Sequence, residues 1–212
     1  MNGERVRIAK GLGGPVRIEA LPENALRDSE RKMIQNIRDI TGYPQEAPMH
    51  PFFLTLARSP DIFSAFTRLG IEAMATSALG KRERELVILR TGWLCDAPYQ
   101  WGEHVSSGRD AGLTDQEIER IKLGSQADGW SAPDRALLKA VEEMQADRTI
   151  HDATWVELAK HFDERQLIEL PILSGHYNMT AMLQNALRFP PNRDMDGNFL
   201  PGMEWDDNGP VA

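Results

Sequence analysis

Two residues in one stretch have the types and spacing for proton transfer. Glu85 and His104 lie in Arg82–Ala111, RERELVILRTGWLCDAPYQWGEHVSSGRDA. The stretch reads as two helices joined by a tight turn. Arg82 to about Leu94 is the first arm, with Leu86, Leu89 and Trp93 at helical spacing. Asp96 can cap the second arm, and Pro98 is tolerated in a first helical turn. That arm runs from Tyr99 to about Ala111, and Gly112 ends it. With the turn between Cys95 and Ala97, Glu85 lies nine residues before Leu94 and His104 seven after Ala97. At a helical rise of about 1.5 Å per residue, the two side chains are level to within roughly 3 Å on an antiparallel pair. A carboxylate and an imidazole at one height can share a proton, the minimum equipment for general acid–base chemistry.

Each candidate has a plainer reading. His104 could be a helix-face histidine with a buried partner, and Glu85 could pair with Arg82 or Arg84. Gln100 lies one turn before His104 and could orient the imidazole or donate to a substrate oxygen; otherwise it is a solvated helix end. Trp101 could wall the site and exclude water, or simply fill the core. Tyr99 opens the same helix. His176 and Tyr177 sit in an uncharged segment and could bind substrate or only satisfy a core polar group. Arg84 or Arg90 could hold an anionic substrate group. The five histidines show no HExxH or i, i+4 spacing, so no metal site is read.

The rest of the chain must position these groups. It has 212 residues, 41% hydrophobic and 26% charged, enough for a sizeable core in a soluble protein. A net charge of −8 argues against nucleic acid or an anionic membrane as partner. One cysteine, Cys95, permits neither a disulfide framework nor a CxxC pair. The N-terminus carries no signal-peptide run, and Leu170–Leu187 contains too many polar residues for a transmembrane span, so a reduced cytoplasmic setting is expected.

The periodicity predicts an all-α fold. Residues 1–23 read as an arm, 24–189 as one helical domain and 190–212 as a tail. Helices are predicted over Ala25–Ile40, His50–Arg58 and Ser59–Thr76, the last with Ile62, Phe63, Phe66, Leu69 and Met74 inward. A capping box at Thr114–Glu117 starts a helix to about Leu123. Ala132–Ala146 and Asp152–Lys160 follow. Asp163 caps the last helix, Glu164–Phe189, which Pro171 should kink. The echo between Arg84–Val87 and Arg165–Ile168 is too short to be a repeat.

At the hairpin the sequence resembles the carboxymuconolactone decarboxylase family, which includes the alkylhydroperoxidase D-like (AhpD-like) proteins. Arg84–Leu89, Tyr99–His104 and Ala111–Thr114 with Glu117–Ile118 carry the resemblance, and Gly175–Met179 extends it. It implies an AhpD-like helical bundle built around the central hairpin. In the peroxidase branch two cysteines stand seven and four residues before the histidine; here those positions are Ala97 and Gln100. Without a thiolate to attack peroxide and a thiol to resolve it, that activity should be absent. Glu85 and His104 match the family's proton-relay positions. The resemblance therefore implies a lyase or isomerase acting without cofactor on a small carboxylated or lactone organic acid. It also implies a homo-oligomer, trimer or hexamer. The competing readings are an oxidoreductase using Cys95 with an external thiol, and a non-catalytic helical oligomer.

Overall fold

Helix-forming runs separated by glycine and proline set the elements. The structure, a computed structural model, describes residues 13–41 and 44–191. The described residues form α-helices with no strand. In order these are α1 (Asp28–Thr41), α2 (Pro51–Leu56), α3 (Pro60–Ala75), α4 (Lys81–Leu94), α5 (Pro98–Asp110), α6 (Asp115–Leu123), α7 (Ala132–Asp147), α8 (Asp152–Leu158) and α9 (Glu164–Leu187). The predicted arm lies outside the described residues as far as residue 12, and the predicted tail does so from residue 192.

The chain divides into two compact units. One is Val16–Ser77; the other runs from Ala78 and includes residues 13–15. The division falls inside the stretch 24–189 that the sequence pattern groups as one domain. In the first unit α1 packs on α3 and buries Ile34 and Ile37, and α3 buries Phe63 and Thr67. Ile62 and Leu69, expected inward, are exposed. The buried stripe is a single i, i+4 row, narrower than the apolar arc in the sequence.

In the second unit α4 packs against α5, α6, α7 and α9. Every residue from Arg84 to Gly92 is buried. Leu86 and Leu89 join Trp101, Val105, Ile121 and Leu138 in one core cluster. Each such leucine stabilises the fold by about 1.5–3 kcal/mol relative to exposure. A helix buried on all sides carries its charged residues inside too, and each of those needs a partner.

The ends follow the capping chemistry in part. Thr114 with Glu117, and Asp163 with Gln166, form complete capping boxes. Asp96 does not cap α5 as expected. It takes a left-handed conformation, φ 50°, and Ala97 holds the cap position without a side-chain bond. The reversal between two helices needs one left-handed residue, which aspartate tolerates better than most. Asn185 Nδ2 of α9 donates to the Cys95 and Asp96 carbonyls at 3.0 and 3.1 Å, holding this turn. Pro171 is exposed and does not divide α9, which continues past it as one helix of 24 residues. No helix among the described residues is long and apolar enough to cross a membrane.

Candidate active site

The two arms of the hairpin bring the predicted pair together. His104 Nδ1 lies 2.9 Å from Glu85 Oε2. Glu85 projects from the buried face of α4, its side chain 4% exposed, and His104 projects from α5 at 15%. An ionised carboxylate only accepts, so an ionised Glu85 places a proton on Nδ1, and in the neutral ring the lone pair is then on Nε2. Nε2 has no hydrogen-bond partner among the described residues. Arg82, offered by the sequence as a partner for Glu85, instead bridges Glu117 and Asp134.

α9 closes the site with aromatic rings. Tyr177 meets His104 edge-on, with ring centroids 4.9 Å apart, and His176 at 5.4 Å. Burial, with the Glu85 carboxylate nearby, pushes the Tyr177 phenol well above its ordinary value, against a smaller opposing pull from Arg84. Tyr177 therefore stays protonated and can only donate or accept as a neutral hydroxyl. Burial pushes the His176 imidazole below its ordinary value.

The other candidates have partners of their own. Gln100 is buried rather than a solvated end. Its Nε2 donates to the Ile88 carbonyl at 3.4 Å, and its Oε1 has no partner. Trp101 belongs to the core cluster, tilted against Trp93 at 5.2 Å. Tyr99 packs against Phe189, the rings tilted and their centroids 5.9 Å apart. Arg90 is committed to Glu142 at 2.8 Å and to the carbonyls of Ile121 and Lys122, so its guanidinium is framework. Gly124, φ 85°, permits this, because a Cβ there would lie 2.3 Å from both Arg90 Nη2 and Glu142 Oε1. Arg84 donates through Nη1 to the Leu79 carbonyl at 2.6 Å.

Cys95 lies at the turn, with Gln145 Nε2 3.6 Å from its sulfur. Burial, aided by Asp96, pushes its thiol up to about 11. Among the described residues no group of three or more His, Cys, Asp or Glu is placed to hold a metal. The sequence reading overlooked Asn185 and Glu142. Neither carries a local signal, since their partners lie 90 and 52 positions away.

Solved structures share this architecture. An uncharacterized peroxidase-related protein from Silicibacter sp. TM1040 superposes with a TM-score of 0.71 at 22% identity, over 89% of this chain and 100% of its own. The debrominase Bmp8 superposes with a TM-score of 0.70 at 12% identity, over 84% of this chain and 93% of its own. A protein of unknown function from Agrobacterium tumefaciens, named for AhpD, gives 0.61 at 21% identity, over 66% and 96%. The fold is thus AhpD-like. Residues 60–143 match the carboxymuconolactone decarboxylase family, so the resemblance at the hairpin holds over a segment that includes Glu85 and His104. A comparison with curated protein sequences returns no match.

Proposed function

We propose that this chain is a lyase or isomerase that works by proton transfer on a small carboxylated or lactone organic acid, without a cofactor. The observation that carries the reading is the 2.9 Å contact between His104 Nδ1 and Glu85 Oε2. Glu85 fixes the tautomer, so that Nε2 faces outward as base in one direction and, once protonated, as acid in the other. In an isomerisation, Nε2 removes a proton beside a carbonyl and returns it at another carbon of the conjugated system. In a decarboxylation, the carbon–carboxylate bond breaks, its electron pair stays on the substrate as an enolate, carbon dioxide leaves, and imidazolium supplies the proton to carbon. Solvent then reprotonates the ring.

A thiol route through Cys95 has less support. With the thiol at about 11, roughly one molecule in ten thousand is thiolate at neutral pH. The test is turnover of candidate lactone acids. His104→Ala should lose about a hundredfold or more in kcat, while Cys95→Ser should match the wild type. Full activity in His104→Ala would end the proposal.

We also propose self-association through α9, which exposes Ile168, Ile172, Met179 and Met182 on its surface. Sedimentation velocity should show an assembly larger than one chain, and a monomer at micromolar concentration would refute it.

A further inference from the structure

The described residues contain three buried arginines, Arg38, Arg84 and Arg90. Arg38 has the Glu23 carboxylate at 3.8 Å and Arg90 has Glu142 at 2.8 Å. Arg84, at 8% exposure, makes no ion pair among the described residues. Its Nη1 donates to the Leu79 carbonyl, and its Nε is buried with no acceptor. Holding a guanidinium out of water without a paired carboxylate is costly, so its place calls for a reason other than stability. Its position suggests what it is kept for. Arg84 directly precedes Glu85 on α4, the residue whose carboxylate lies 2.9 Å from His104 Nδ1.

We propose that Arg84 is the anion anchor of this site, taking a carboxylate that the substrate keeps through the reaction and so setting the reacting carbon against His104. The inference rests on the reading of Glu85 and His104 as the reacting centre. A guanidinium offers a planar fork that matches a carboxylate with two charge-assisted hydrogen bonds. The same attraction specifies which carboxylate it holds. A carboxylate loses its charge as it departs as carbon dioxide, so an arginine bound to it stabilises the ground state over the transition state and slows the loss. The anchored group is therefore a spectator. If the enzyme breaks a carbon–carbon bond, its substrate carries two anionic groups, one held and one lost. If the substrate is a monocarboxylate, the reaction is an isomerisation.

The test uses sorbate, an unsaturated monocarboxylate, and its neutral amide sorbamide, titrated into the full chain while the nitrogen-15 signals of the His104 ring are followed. Sorbate should shift those signals and sorbamide should not. Arg84→Met should weaken sorbate at least about tenfold, Arg84→Lys should keep part of the affinity, and the thermal midpoint of Arg84→Met should not fall. Unchanged sorbate affinity in Arg84→Met overturns the inference, as does a wild type indifferent to sorbate. A change in sedimentation coefficient in Arg84→Met without loss of sorbate binding also overturns it, because the guanidinium would then pair across a subunit boundary. The two readings fail separately. Arg84 could prove irrelevant to sorbate while His104→Ala still abolishes turnover, or Arg84 could hold sorbate while His104→Ala remains fully active.

Discussion

Arg84 and Arg90 stand six residues apart on one helix, about 9 Å along its axis, and are buried to nearly the same degree, 8% and 7% exposed. Arg90 is braced by one carboxylate and two carbonyls, whereas Arg84 has one carbonyl and a bare Nε. In a helix enclosed on every side, residue type and burial do not separate scaffold from site. Between these two arginines the number of hydrogen-bond partners does, since Arg90 is satisfied within the fold and the Nε of Arg84 is not.

Breaking each end should therefore have opposite results. Arg90→Met strips two carbonyls and leaves the Glu142 carboxylate without its cation, although Ser125 still donates to it. The expected loss is about 3 kcal/mol of unfolding free energy, read from urea denaturation. Arg84→Met should lose none. Equal losses in the two variants would collapse the distinction between them.

A smaller effect sharpens the contrast at the Arg84 end. His176 is held below its ordinary value by burial, so the folded chain binds fewer protons than the unfolded chain in the interval between the two values. Its contribution to stability is complete above the unfolded value, about 6.5, and drains away as pH falls through that interval. The thermal midpoint of the wild type should drop between pH 7.5 and 5 by more than that of His176→Gln. Parallel curves would show that His176 does not titrate differently on folding.

Much of this was legible in the chain itself. Thr114 and Asp163 announce their helices because a capping box is local chemistry, three residues wide. Glu85 and His104 could be paired on paper because a hairpin with a short turn fixes relative height by counting residues. The fates of Arg84 and Arg90 could not be read, since one helix presents both and the partners that α6 and α7 bring to Arg90 tell them apart. Ile62 and Leu69 look like core because apolar type says nothing about which neighbour arrives to cover them. Asp96 misleads for a related reason: the same short side chain that caps helices also suits a reversed backbone, and the joining of α4 to α5 decides which use is made of it.

The two hydrogen bonds from Asn185 to the turn have a consequence for how the molecule breathes. One amide group clasps both carbonyls of the reversal, so the bend cannot spring open while the end of α9 stays docked. Hydrogen exchange in these two distant segments becomes a single event, and a residue inserted between Cys95 and Ala97 would loosen the far terminus of the bundle as surely as the loop it lengthens.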